Sequence, residues 1–168
     1  VPEVTARIVN GTPTSSFASV GLVGDTGGSF CSGTLISPSH VLTAGHCATG
    51  VGSTQGRFIV GGQTYSTNRV VVHPQYNDQT LSNDIAIYSL SSSVANVTPS
   101  PINRLTPVVG QTLTLVGFGA GGTGSTGHNG DFGTKRVGTT PIDNVTSTLI
   151  TWRFDNNSES NTAPGDSG

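Results

Sequence analysis

Three residues of this 168-residue chain stand in local settings suited to chemistry: His46 in "VLTAGHCATG", Asp84 in "SNDIAIYSL" and Ser167 in "PGDSG". A hydroxyl is a poor nucleophile until a base takes its proton. An imidazole serves best as that base when a carboxylate fixes its tautomer and stabilises the imidazolium. Serine, histidine and aspartate are therefore the set to seek where an acyl carbon is to be attacked. The glycines around Ser167 let backbone approach a ligand closely and adopt positive φ. Each setting alone is weak: a histidine beside a cysteine is ordinarily a core residue, an aspartate ahead of a strand a cap or turn, and G-D-S-G a loop.

The elements that must position these residues read as short strands. The runs "FASVGLV", "CSGTLIS", "HVLTA", "RFIVGG", "NRVVVH", "DIAIYSL", "TLTLVGF", "KRVGTTPI" and "STLITWRF" are separated by Gly, Pro, Ser and Asn, and no segment sustains a 3.6-residue period. Strands of this length between frequent turns predict antiparallel barrels or a sandwich. The Pro- and Ser-rich stretch Ser91 to Gly110 parts six of these runs from three and marks a boundary between two subdomains.

Composition narrows the partners. Only 10% of residues are charged and the net charge is −2, so no basic surface invites a polynucleotide or an anionic membrane. No apolar run approaches the roughly 18 residues that span a bilayer, and the N-terminus lacks the charged-then-apolar layout of a signal peptide. The chain contains no methionine, so Val1 is not an initiator residue, and a cleaved secretory signal fits that start. The glycine-rich stretch Gly119 to Gly133 contains a G-x-G-x-x-G match but no helix to follow it, so it predicts a surface loop and no dinucleotide site. Four N-x-S/T sequons, at Asn10, Asn96, Asn144 and Asn156, do not by themselves establish glycosylation in a chain so rich in Ser and Thr. His40, His73 and His128 are too scattered to propose a metal site, and no cofactor is implied. Trp152 and Phe154 read as packing residues.

Cys31 and Cys47 are the two cysteines. A bridge closing a loop of about 15 residues stabilises by about 3 kcal/mol in the chain-entropy model, and it would indicate an oxidising compartment. Two reduced, buried thiols are the other reading of the same pair.

Taken together, the landmarks resemble the trypsin and chymotrypsin family of serine endopeptidases. They run in order from "RIVNG" (Arg7 to Gly11) through "CSGTLIS" (from Cys31), "LTAGHC" (Leu42 to Cys47), "HPQY" (His73 to Tyr76), "NDIAIYSL" (Asn83 to Leu90) and "VGFG" (Val116 to Gly119) to "GDSG" (Gly165 to Gly168). The resemblance implies an all-β protein of two six-stranded antiparallel Greek-key barrels, the second only partly present here. On this reading residues 1–7 are an activation peptide, 8–103 the N-terminal barrel and 104–168 an incomplete C-terminal barrel.

The resemblance also implies roles. His46 becomes the general base, Asp84 its orienting partner and Ser167 the nucleophile, with the backbone N–H groups of Gly165 and Ser167 as the oxyanion hole. A Cys31–Cys47 disulfide would pin the loop that carries His46. Cleavage after Arg7 by an activating protease would free the Ile8 ammonium to pair with Asp166, so the chain resembles a secreted zymogen acting on a protein or peptide substrate. Two departures bear on specificity. Ala163 stands where trypsin-like members have a cysteine, and Asn161 where they have an acid, which argues against an Arg/Lys preference; Glu159 is a nearby acid. The "PGDSG" ending is also similar to bacterial members of the wider superfamily. Only three strand runs of the second barrel precede Ser167, and three strands neither close a barrel nor cover their apolar faces. The chain alone is therefore expected to be inactive, with a second chain as one source of the remaining barrel. The alternative is a non-catalytic homologue or fragment serving as a binding or structural β module.

Overall fold

The computed structural model describes residues 8–119, 122–123, 127–128, 133–156, 158–163 and 165–168. In chain order the first elements are β1 (Thr12–Pro13), β2 (Val20–Asp25), β3 (Gly28–Ser37), β4 (His40–Thr43), a one-turn helix α1 (Gly45–Ala48), β5 (Arg57–Val60), β6 (Gln63–Val72) and β7 (Ala86–Leu90). Then follow β8 (Thr112–Gly117), β9 (Gly122–Thr123), β10 (Gly127–His128), β11 (Arg136–Pro141), β12 (Asn144–Val145) and β13 (Ile150–Thr151). The fold is all-β apart from α1, which at four residues is too short to leave a helical period in the sequence. The chain forms two compact units, one of Ser16–Ile102 with Ser167–Gly168, the other of residues 8–15 with Asn103–Asp166.

The first unit is a closed antiparallel barrel in the order β2-β3-β4-β7-β6-β5, in which β5 returns to pair with β2. Alternation along the strands builds its interior. On β7 the side chains of Ala86, Tyr88 and Leu90 are buried while Ile87 and Ser89 are partly exposed, and β5 repeats the pattern with Phe58 and Val60 inside. Val23, Leu35, Val41, Phe58 and Tyr88 are fully enclosed. The Tyr88 hydroxyl finds a partner within this apolar interior by donating to the Gly24 carbonyl at 3.2 Å. Gly33 on β3 is required by close approach: a Cβ there would strike the Val23 side chain and come within 2.9 Å of Val41 Cγ1.

The second unit carries a three-stranded antiparallel sheet in the order β1-β11-β8, with the short hairpins β9–β10 and β12–β13. Among the described residues this sheet does not close, in agreement with a second barrel only partly present. The segment after residue 7 is tied to it: Thr12 and Pro13 pair with Val137 and Arg136, and Val9 forms a bridge with Asn161. Ile8, Arg136, Thr140, Ile142 and Ser160 are buried here, whereas Leu105, Val108, Val109 and Leu149 are exposed apolar side chains.

The run "STLITWRF" differs most from expectation, since only Ile150 and Thr151 of it pair as strand. Its first residues are consumed by a tight turn, with the Thr146 N–H on the Leu149 carbonyl at 2.8 Å, and the Arg153 N–H is taken by the Asp143 side chain. Ala120, Gly121 and Gly124 of the glycine-rich match lie outside the described residues, as does Arg7.

Candidate functional site

His46 sits on α1, directly after β4 delivers the chain to Thr43 and the cap residue Ala44. The helix exposes His46 and buries Gly45, Cys47 and Ala48. Asp84 approaches from just ahead of β7, and its carboxylate is used twice. Oδ1 accepts the main-chain N–H of His46 at 2.8 Å, and Oδ2 lies 2.8 Å from His46 Nδ1. The first bond satisfies an N–H of the first helical turn, which has no partner within the helix. The second favours the tautomer that protonates Nδ1, so that Nε2 is the nitrogen left to accept a proton.

The loop that presents Asp84 is held by its own hydrogen bonds. The Asn77 N–H donates to the Ser82 carbonyl at 3.1 Å, and the Asn83 side-chain amide donates to the Gln75 carbonyl at 3.0 Å. Leu81 and Asn83 adopt positive φ to make the turn. Gly45 belongs to the same contact: a Cβ there would lie 3.2 Å from Asp84 Oδ1, from Ile85 N and from Tyr76 Cδ2.

Cys47 is joined to Cys31 on β3, with Cα atoms 6.3 Å apart, so the reduced-thiol reading is set aside. The bond anchors the residue next to His46 to the barrel wall. Ser167 is fixed through its backbone, whose carbonyl accepts the Ser32 N–H at 2.8 Å. Gly168 lies against the Ser32 carbonyl and Thr43 Oγ1 where a Cβ would clash, with φ of 124°. Ser167 and Gly168 then share with Leu42, Thr43, Ala44, His46, Asp84 and Ile85 the lining of an open cavity of about 420 Å³. Residues 38 and 83 positions apart from one another along the chain thus face one solvent space in a single unit.

The remaining predicted residues have these places. Gly165 adopts φ of 97°, in the left-handed region glycine favours. Asp166 is buried, with Oδ1 accepting the Gly119 N–H at 2.8 Å and Oδ2 the Ala163 N–H at 2.9 Å. Burial pushes its carboxyl above the usual range, against the opposing pull of those two N–H groups and of the Arg136 charge. Ile8 is buried, its Cγ2 facing Gly138. Asn161 turns its side-chain carbonyl to the Trp152 indole N–H at 3.2 Å and the Thr162 N–H at 3.0 Å.

Sequence reasoning missed Arg136, which is fully enclosed in β11 and whose charge acts on Asp166. It also missed the Gly119 and Ala163 amides. Backbone donors leave no residue-type signal, and an arginine in "KRVGTT" reads as an ordinary surface cation. His40 bonds Ser37 through Nδ1 at 2.7 Å, and His73 Nδ1 accepts the Gln75 N–H, both local turn contacts. Among the described residues no helix is long and apolar enough to cross a membrane.

A model of the family described as Trypsin matches residues 8–168. Alkaline trypsin B of Manduca sexta is 35% identical over 109 residues, covering 56% of this chain and 43% of that protein. A trypsin of Phaedon cochleariae is 38% identical over 109 residues, covering 54% and 41% respectively, and trypsin beta of Drosophila erecta is 29% identical over 137 residues, covering 74% and 54%. With its closed six-stranded antiparallel barrel and this match along nearly its whole length, the chain belongs to the trypsin family. It spans about half the length of the curated relatives it matches.

Proposed function

We propose that the polypeptide to which this chain belongs is a secreted serine endopeptidase. The observation that carries the reading is the Asp84–His46 pair at 2.8 Å on the cavity that Ser167 also lines. In this mechanism His46 Nε2 takes the Ser167 hydroxyl proton as Oγ attacks the scissile carbonyl carbon. Asp84 holds the imidazole and stabilises its charged form. The tetrahedral oxyanion is received by the N–H groups of Gly165 and Ser167, each worth about 10²–10³ in rate. The imidazolium returns its proton to the leaving amine, an ester forms on Ser167, and a water activated by the same His46 releases the acid.

Residues 1–7 act as a pro-segment, with 8–103 giving the N-terminal barrel domain and 104–168 part of the C-terminal one, except that residues 8–15 group with the second unit, where β1 pairs with β11, and Ser167–Gly168 with the first. Cleavage after Arg7 by an activating protease lets the Ile8 ammonium reach the Asp166 region, where a carboxylate already costly to bury gains a cation. Asn161, in the position that is acidic in trypsin-like members, disfavours Arg and Lys at the cleaved bond. The disulfide fits secretion through an oxidising compartment.

The open sheet of the second unit and its exposed Leu105, Val108 and Val109 favour a second reading for residues 1–168 taken alone: a β module without turnover. A fluorophosphonate probe separates the two. It labels Ser167 in the full-length protein cleaved after Arg7 and leaves residues 1–168 alone unlabelled; absence of label from the cleaved full-length protein would sink the endopeptidase reading.

A further inference from the structure

The chain carries four N-x-S/T sequences, and the structure sets them apart. At Asn10 the side-chain amide is half-buried and donates to the Glu159 carbonyl at 2.9 Å. At Asn156 the amide donates to Glu159 Oε1 at 2.7 Å, and the Ser158 hydroxyl is turned back onto Asn156 Oδ1. In the sequences that begin at Asn10 and Asn96, the hydroxyl residues Thr12 and Thr98 stand directly before Pro13 and Pro99. A following proline holds a residue extended, whereas the amide and the hydroxyl of an acceptor must be brought together by a bend in the chain. Asn144 is free of each constraint. It is exposed on β12, its side-chain amide has no hydrogen bond among the described residues, and Thr146 precedes a serine.

We propose that Asn144 carries an N-linked glycan whose first sugar lies in the cavity beside Trp152. That cavity measures about 470 Å³, and Asp143, Asn144, Thr151, Trp152, Arg153 and Asp155 line it. The β12–β13 hairpin fixes the acceptor in this lining. Asn144 pairs with Thr151, and the turn closes as the Thr146 hydroxyl accepts the Leu149 N–H at 3.0 Å. Asp143 Oδ2 accepts the Arg153 N–H, and Trp152 Nε1 donates to Asn161 Oδ1 at 3.2 Å, so the walls are held before any sugar arrives. The lining has the chemistry a saccharide needs. An indole offers an apolar surface to the face of a pyranose, while two carboxylates and a guanidinium offer acceptors and donors to its hydroxyls.

The donor is an oligosaccharide carried on a lipid diphosphate. Asn144 Nδ2 forms a bond to the anomeric carbon as the bond from that carbon to a diphosphate oxygen breaks. The amide gives up one proton, and the lipid diphosphate leaves. An N-x-S/T acceptor is used on surface segments of secreted proteins. Modification in the native source therefore rests on the secretion that the endopeptidase reading includes, whereas the acceptor and its cavity do not.

The test is to produce the full-length protein in insect cells, once with its native N-terminus and once behind a borrowed secretion signal. Release of N-glycans by a peptide N-glycosidase in heavy-oxygen water leaves a labelled aspartate wherever a glycan stood. Digestion after Arg136 and Arg153 yields residues 137–153, which contain Trp152 and, in Asn144–Thr146, a single N-x-S/T sequence. Label at position 144 is expected, with loss in Thr146→Val and retention in Thr146→Ser. Hydroxyl-radical oxidation of Trp152 is expected to be several-fold lower in the parent than in Asn144→Gln, which lacks the acceptor. No label at position 144 behind the borrowed signal, undiminished label in Thr146→Val, or equal oxidation of Trp152 in parent and Asn144→Gln overturns the proposal. Label at position 144 behind the borrowed signal, in a protein that its native N-terminus leaves inside the cell, supports the acceptor site and defeats secretion alone. An unlabelled position 144 in protein exported from its native N-terminus defeats the glycan alone.

Discussion

Asp84 holds His46 by two bonds of equal length, one to the main chain and one to the ring, each 2.8 Å. The carboxylate thereby sets both where the helical turn starts and which way its histidine faces. Replacing Asp84 by Asn keeps an acceptor for one donor but turns an N–H toward the other, favouring the wrong tautomer. On the proposed mechanism, Asp84→Asn in the full-length protein cleaved after Arg7 should lower kcat by about 10⁴, the scale seen when a triad aspartate becomes asparagine. Steady-state kinetics alongside thermal unfolding would check this, and a kcat near the parent value would contradict the assignment.

Asp166 ties stability to pH with a definite sign. Its folded-state pKa is raised above the ordinary 3.8, with burial as the main cause. The folded state therefore binds this proton more tightly than the unfolded one. Stability from the group is fully present below pH 3.8 and declines as pH rises through the folded value. Urea unfolding across this acidic range should show the decline in the parent and lose that component in Asp166→Asn.

The disulfide should contribute about 3 kcal/mol, the worth of closing a loop of this length. A Cys31→Ala/Cys47→Ala variant is expected to lower its denaturant midpoint and, because the unfolded chain is released from the bridge, to raise the slope. An unchanged midpoint would mean that the bridge constrains little in the unfolded chain.

Gly33 faces the interior where Val23 and Val41 meet. Because the added methyl has no space, Gly33→Ala should destabilise by about 1–3 kcal/mol through overpacking. Chemical denaturation measures the cost directly, and a neutral result would show that β3 can move away from β2.

Burial, with the charge of Asp25, pushes the Tyr88 phenol up to about 12. Tyr88 should therefore give a late step in ultraviolet absorbance, and Tyr88→Phe should remove that step. The sign is the same as for Asp166: stability from Tyr88 is intact below pH 10 and lost as pH rises toward 12. At neutral pH the variant should cost about 1 kcal/mol, for the lost bond to the Gly24 carbonyl.

The strands of the barrel were legible because burial there has a period of two. Ala86, Tyr88 and Leu90 announce β7 from sequence alone, as Phe58 and Val60 announce β5. The candidate site was legible by another route, through the order and local contexts of His46, Asp84 and Ser167, which name residue types without placing them. Tertiary structure decided how they are held: the second bond from Asp84 to the His46 backbone and the Ser32 N–H that fixes Ser167. It also decided that Thr12 and Pro13 lie on β11, that Asn161 turns to Trp152, and that Arg136 is buried with its charge acting on Asp166. The reason is physical. Side-chain periodicity and turn residues report local backbone geometry, whereas these relationships depend on backbone donors and on distant segments meeting, and neither is encoded in any one stretch of sequence.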